Sequence, residues 1–121
     1  MKIRVYYEDT DCGDMVYHSN YLNFCERARS ELFFQKGMLP HSKDEFFVVK
    51  ECKANWIKSA KFADILEVKT KLLEKKLASI IMKQEIYKED ELIFEAEFKL
   101  AFLKYKKPSK IPTHIFEILE N

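Results

Sequence analysis

The stretch YLNFCERARSELFFQKG, Tyr21 to Gly37, carries apolar residues at helical spacing. Tyr21, Phe24, Cys25, Ala28 and Leu32 recur at intervals of three or four, one stripe of an amphipathic helix. Leu22, Arg29 and Phe33 form a neighbouring stripe, so the buried face is wide. A helix covered on most sides reads this way. Ser19 and Asn20 stand just ahead of it as good N-caps. Gly37 suits the left-handed position that ends a helix, with Pro40 just beyond. At 1.5 Å rise per residue the predicted helix is roughly 25 Å long.

The period changes after this helix. FFVVKECKANWI alternates, placing Val48, Cys52, Ala54 and Trp56 on one face, with Lys50 breaking the pattern. ILEVKTKLLE sets Leu66, Val68, Thr70 and Leu72 opposite Glu67, Lys69 and Lys71. LASIIMKQEIYKE aligns Ala78, Ile80, Met82 and Ile86. ELIFEAEFKLAFLKY aligns Leu92, Phe94, Ala96, Phe98, Leu100 and Phe102 against Glu95, Glu97 and Lys99. The links EKK and KEDE are short, so these strands should be antiparallel neighbours; lacking Gly, they leave the turn type open. A first strand is expected over residues 2–8, with Ile3, Val5 and Tyr7 on one face. Near the end, Ile115, Ile118 and Leu119 suit a short amphipathic helix.

Four long strands, each with one apolar face, need one cover, and the long helix supplies it. The expected fold is therefore α+β: an antiparallel sheet of about five strands wrapped around one long central helix, as a single domain over residues 1–121. Apolar residues make up 47% and charged residues 34%, the balance of a globular chain. A net charge of +1 offers no overall field for nucleic acid. No apolar run is long enough for a transmembrane segment, and MKIRVYYED lacks the layout of a signal peptide. A cytoplasmic protein is expected. Cys12, Cys25 and Cys52 match neither a zinc spacing nor a CxxC pair. Cys25 and Cys52 read as small buried apolar residues.

The segment DTDCGDMVYHSNY, Asp9 to Tyr21, lies just before the helix. The N–H groups of a first helical turn have no intrahelical partner and sit at the positive end of the dipole. A carbonyl oxygen held there is stabilised as it gains negative charge. Asp9, Asp11 and Asp14 are candidate carboxylates to face it, on a loop that Gly13 helps to turn. Such a pairing suits acyl transfer or hydrolysis. Spacing alone favours a plainer reading, in which the acidic loop caps the helix. A Cys12–His18 nucleophilic pair lacks an orienting third group, and the three Asp do not follow EF-hand spacing.

The run YYEDTDCGDMVYHSNYLNFCERAR resembles the signature of hotdog-fold thioesterases of the 4-hydroxybenzoyl-CoA type, above all the Tol–Pal-associated acyl-CoA thioesterase branch. The likeness spans nearly the whole chain. It implies hydrolysis of acyl-CoA to free acid and CoA, with Asp11 as nucleophile or general base. The oxyanion donor would be a backbone N–H near His18. Tyr7, Asn20, Tyr21 and the His18 side chain would line the site. Asp14 stands where the family usually has Gly, and Asp9 reads as structural. The resemblance also implies a homodimer or a dimer of dimers, with CoA bound between subunits. Lys58, Lys61, Lys106 and Lys107 are candidates for its phosphates. No cofactor is implied, since CoA is part of the substrate. Acyl carrier protein and phospholipid-synthesis enzymes are candidate partners. Two alternatives are a hydratase or dehydratase of the same fold and a non-catalytic binding protein.

Overall fold

A computed structural model describes residues 1–120. The chain forms β1 (Lys2–Arg4), a 3-10 turn (Tyr7–Asp9), α1 (Asn20–Phe34), β2 (Glu45–Trp56), β3 (Ile65–Lys75), β4 (Ser79–Lys88), β5 (Glu91–Lys104), β6 (Lys107–Pro108) and α2 (Thr113–Leu119). All strand pairings are antiparallel, in the order β1-β3-β4-β5-β2, with the two-residue β6 on β5. α1 packs on the inner face through Tyr21, Phe24, Cys25, Ala28 and Phe33, all buried. Leu66, Val68, Ile80, Met82, Ile86, Phe94 and Phe98 meet it from the sheet. The expected wrapping of sheet around helix is the observed architecture.

Both ends of α1 have identifiable chemistry. The Gly37 N–H donates to Phe34 O and the Met38 N–H to Phe33 O, with Gly37 at φ 71°. That is a Schellman stop, and it places Gly37 where the sequence predicts. The start differs from expectation. Ser19 has helical dihedrals and makes no side-chain cap bond. The Asn20 side chain donates to Asp9 O instead. Glu26 and Arg29, one turn apart on α1, do not form an ion pair. Arg29 Nη1 donates to Gln84 Oε1 at 2.8 Å and its guanidinium lies 4.4 Å from the Phe98 ring centre.

Two bulges correct the strand patterns. In β2, Val49 pairs with Leu100 and Glu51 with Lys99, so Lys50 is the extra residue. The residue that broke the alternation is thus the bulge. The inner face consequently runs Phe47, Val49, Cys52, Ala54, Trp56, and Val48 points outward. In β5, Ile86 pairs with Phe94 and Tyr87 with Leu92, leaving Ile93 as the extra residue. Ile93 and Phe94 are both buried, and Leu92 leaves the predicted face. Two of the hairpin turns, β4–β5 and β5–β6, use paired positive φ angles, at Glu89 and Asp90 and at Tyr105 and Lys106, whereas the β3–β4 turn has none. Two left-handed residues in a row match the twist of the flanking strands.

The first strand is shorter than expected. It ends at Arg4; the Asp9 carboxylate then accepts the Tyr6 N–H at 2.9 Å and the chain turns into the 3-10 segment. Tyr7 is therefore 76% exposed rather than aligned with buried Ile3 and Val5.

Phe94 is fully buried, stacking on Tyr21 at 5.3 Å and meeting Trp56 edge-on at 5.4 Å. We expect Phe94→Ala to lower unfolding free energy by about 3–5 kcal/mol, read from the urea midpoint at unchanged slope.

Candidate active site

The acidic loop is a closed turn. Thr10 and Val16 form a bridge, and Asp11 N–H donates to Met15 O at 2.9 Å. Inside the turn, Asp11 Oδ1 accepts the Gly13 N–H at 2.8 Å. Gly13 does not adopt a left-handed conformation. Its missing side chain matters because a Cβ there would lie 3.3 Å from Asp11 Oδ1. The left-handed residue is Asp14, at φ 65°. Asp tolerates that region better than most residues, since its short side chain bonds locally.

Asp9 joins this turn to the helix. Its carbonyl accepts the Tyr17 N–H at 3.0 Å and Asn20 Nδ2 at 2.9 Å. Its buried carboxylate holds the preceding backbone through Tyr6. The structural role expected for Asp9 is thus visible as these three bonds. Asn20 Oδ1 then accepts from Asn23, so the Asn20 amide is used at both ends.

The helix entry is fixed from the sheet side as well. Trp56 Nε1 donates to His18 O at 2.8 Å. The His18 ring packs between Tyr17 and Trp56, at 4.4 Å and 6.3 Å. Among the described residues, the His18 and Ser19 N–H groups donate to no backbone carbonyl. They are the open donors at the end of the helix. Tyr21 is buried, and its hydroxyl accepts the Ala60 N–H at 2.9 Å. Burial raises the Tyr21 pKa above the usual phenol value. Tyr21 is therefore a brace between α1 and the segment after β2.

That segment, residues 57–64, lies against the acidic loop. Val16 N–H donates to Ala60 O, Met15 bridges to Lys61, and Phe62 N–H reaches Asp14 O. Lys61 is exposed beside the loop. Lys58 is ion-paired with Glu91. Tyr7 packs edge-on against Phe62 at 5.9 Å, on the same rim. Sequence patterning missed Phe62 and Trp56 as members of this rim. Only their exposure among aromatic neighbours reveals them. Lys106 and Lys107 are elsewhere. Their hairpin contacts Asp44 at the start of β2, whereas Trp56 marks its end. A strand of that length spans roughly 40 Å, so within one protomer they do not join the site.

The three cysteines divide plainly. Cys12 is exposed in the turn. Cys25 is buried, and burial pushes its thiol up to about 12. Cys52, expected to be buried, lies exposed because β2 is the edge strand of the sheet, although partial desolvation still raises its pKa. Neither Cys25 nor Cys52 has thiolate character near neutral pH. Among the described residues, no three His, Cys, Asp or Glu side chains are grouped to hold a metal ion. No helix among them is long and apolar enough to cross a membrane.

Residues 5–119 match the profile of the thioesterase-like superfamily. The chain belongs to that family. It is 37% identical to the acyl-CoA thioesterase YbgC of Helicobacter pylori, over 98% of both chains. It is 38% identical to the acyl-CoA thioesterase YbgC of Haemophilus influenzae, over 93% of this chain and 88% of that one. Among solved structures, a hypothetical protein from Aquifex aeolicus superposes with a TM-score of 0.92 at 27% identity, covering 99% and 98% of the two chains. The gentisyl-coenzyme A thioesterase BH1999 superposes at 0.87 and 22% identity, over 99% of this chain and 98% of that one, a likeness of fold. The fold is the hotdog fold of this thioesterase family.

One ion pair steadies the segment beside the acidic turn. Asp64 accepts the Lys61 N–H at 2.8 Å and meets Lys88 Nζ at 3.0 Å. Burial alone would raise the Asp64 pKa, but the Lys61 amide and the Lys88 ammonium outweigh it, and the carboxyl sits below its ordinary value. A lowered folded-state pKa gives stability that is present above the unfolded value of about 3.9 and lost as pH falls through the folded value. We expect Asp64→Asn to be less stable than the parent by up to ~1 kcal/mol at neutral pH. The gap should close below about pH 4, seen in urea midpoints collected across that range.

Proposed function

We propose that this chain hydrolyses acyl-CoA thioesters to free acid and CoA, with Asp11 as the catalytic carboxylate and the His18 N–H as oxyanion donor. The observation that carries this reading is the pair of hydrogen bonds accepted by the Asp9 carbonyl, which ties the Asp11 turn to a helix entry with open N–H groups. The names of the YbgC relatives support the same substrate class.

In the proposed reaction, the thioester carbonyl oxygen points at the His18 N–H. Negative charge developing on that oxygen is stabilised by the amide and by the helix dipole. Asp11 then acts in one of two ways. As nucleophile, its carboxylate oxygen bonds to the carbonyl carbon, the C–S bond breaks, and the thiolate leaves to take a proton. Water then cleaves the mixed anhydride. As general base, it removes a proton from the water that attacks the carbonyl carbon; the C–S bond then breaks and the thiolate takes that proton as it leaves. The Trp56, Tyr17 and Phe62 rings shield the rim, and Asn20 and Tyr21 hold the scaffold. Lys61 is the better placed of the loop lysines for a CoA phosphate, because Lys58 already has a carboxylate partner. A cytoplasmic setting without a resident cofactor belongs to the same proposal.

A homodimer or dimer of dimers is part of this reading. β2 lies at the end of the sheet, and Val49 and Trp56 on its inner face are 51% and 46% exposed. An open edge with an uncovered apolar face favours pairing with another chain. Light scattering on the eluted protein should give at least twice the monomer mass of 14.5 kDa.

Asp11→Asn should fold with an unchanged circular dichroism spectrum and lose about 10³-fold or more in kcat/KM, with KM little changed. The measurement is CoA release over short, long and aromatic acyl-CoAs. Near-parental turnover by Asp11→Asn would remove Asp11 from the chemistry. A burst of CoA ahead of free acid would favour the anhydride route.

A further inference from the structure

The peptide between His18 and Ser19 is held by a side chain of the sheet. In a regular helix the His18 carbonyl would take the Leu22 N–H. That N–H goes to Ser19 O at 3.1 Å instead. The freed carbonyl accepts the Trp56 indole N–H at 2.8 Å. Trp56 is the last residue of β2, so its backbone belongs to the sheet and not to the acidic loop.

Trp56 is itself anchored. It pairs with Phe94 across the β2–β5 ladder, and its ring meets the buried Phe94 ring edge-on at 5.4 Å. Tyr21 of α1 stacks on the same Phe94 at 5.3 Å, so strand and helix share one reference ring. Just after Trp56, the Ile57 and Lys58 N–H groups both donate to Ile93 O, at 2.9 Å and 3.1 Å. Ile93 is the bulge residue of β5, so the bulge supplies the carbonyl that fixes the end of β2. The indole therefore projects from a rigid point. It stands partly exposed on the sheet face where a second copy would pack, and its bond to His18 needs no access from solvent.

A trans peptide points its C=O and N–H in opposite directions. The Ser19 N–H therefore points away from the indole. Asn20 N–H closes on Tyr17 O and Ser19 has helical dihedrals, so the His18 and Ser19 N–H groups share the direction of the helix entry. Among the described residues neither donates to a backbone carbonyl. A hydrogen bond to the carbonyl also polarises the amide and strengthens its N–H as a donor. Donors fixed in advance are the ones that stabilise charge developing on a reacting oxygen. We propose, on the thioesterase reading above, that Trp56 is a positioning residue for hydrolysis: through His18 O it orients the His18–Ser19 peptide, and the Ser19 N–H joins the His18 N–H as a second oxyanion donor. The indole acts through the peptide and not on the substrate.

The chain has a single tryptophan, so one residue can be replaced and one indole signal read. Benzothienylalanine keeps the bicyclic shape of Trp56 and puts sulfur in place of the N–H. This isostere and Trp56→Phe should each lower kcat for CoA release about tenfold, with KM within about twofold of the parent. In the parent, the indole proton should exchange with water about tenfold or more slower than that of free tryptophan, read by NMR. Parental kcat in the isostere overturns the positioning role, whatever happens to its urea midpoint. So does a raised KM at unchanged kcat, which makes Trp56 only a wall of the rim. Fast indole exchange overturns the bond in the parent chain, even where neither replacement folds. Asp11→Asn, assayed alongside, tests the catalytic reading separately. If it is inactive while the isostere is parental, the catalytic reading stands and the Trp56 role falls. If it keeps near-parental turnover while the isostere is slow, Asp11 leaves the chemistry and Trp56 keeps its role. A parent that releases CoA from no acyl-CoA overturns both.

Discussion

The backbone carbonyl of Asp9 accepts two donors, Tyr17 N–H and Asn20 Nδ2, and the front of the molecule is organised by that junction. It fastens the turn carrying Asp11 to the first residue of α1. The same residue's carboxylate holds the Tyr6 N–H, which ends β1 and starts the 3-10 turn. One aspartate thus sets where the first strand stops, where the loop closes and where the helix begins. It is buried because all of these bonds point inward. A surface capping residue would have been used differently, with its side chain on the N–H groups of the first helical turn. Here the Asn20 and Leu22 N–H groups are met by Tyr17 O and Ser19 O, and the open donors among the described residues are those of His18 and Ser19, just ahead of the helix.

That distinction explains which parts of the site could be read from the chain. The helix, its stop at Gly37 and the covering role of the sheet follow from periodicity, since apolar spacing and burial are the same physical fact. The Lys50 break was visible, but its meaning was not. A bulge is a register event and depends on the partner strand, which no single strand encodes. The Ile93 bulge was less visible, because Leu92, Ile93 and Phe94 are all apolar. Tyr7 failed for a related reason. Alternation predicts a strand to residue 8, but a local bond from Asp9 competes with the ladder and wins. The family resemblance put Asp11 and His18 in one site. Spacing alone could not have separated that from a capping loop.

The buried polar group of the sheet plays a comparable part at the centre of α1. Gln84 occupies a position whose strand neighbours on the same face, Met82 and Ile86, are fully buried. An amide there costs free energy unless its hydrogen-bonding groups are satisfied. It is satisfied by α1 itself, through Cys25 O and Arg29, and by Thr70 on β3. These bonds set the axial position of the helix on the sheet, which apolar contacts alone would leave less specified. A sliding helix would move the His18 N–H relative to Trp56 and the acidic turn. The polar set in the core and the open donors at the helix entry are therefore mechanically connected.

Asp14 completes the account of the acidic turn. Its backbone is left-handed, a conformation glycine adopts without strain and aspartate adopts at modest cost. Its carbonyl accepts the Phe62 N–H, while its own N–H donates to Asp11 O at 3.3 Å. The backbone, not the carboxylate, does the structural work at this position. The side chain is left exposed beside the Asp11 turn. A second negative charge near Asp11 repels an approaching anion. Glycine would give the same loop without that charge. Retaining Asp14 is compatible with the proposed chemistry because the thioester is neutral at its reacting carbon. The charged end of CoA would instead have to lie toward Lys61, on the opposite strand of the Met15–Lys61 bridge. On the proposed reading, the direction of substrate entry is constrained by charge as well as by the helix end.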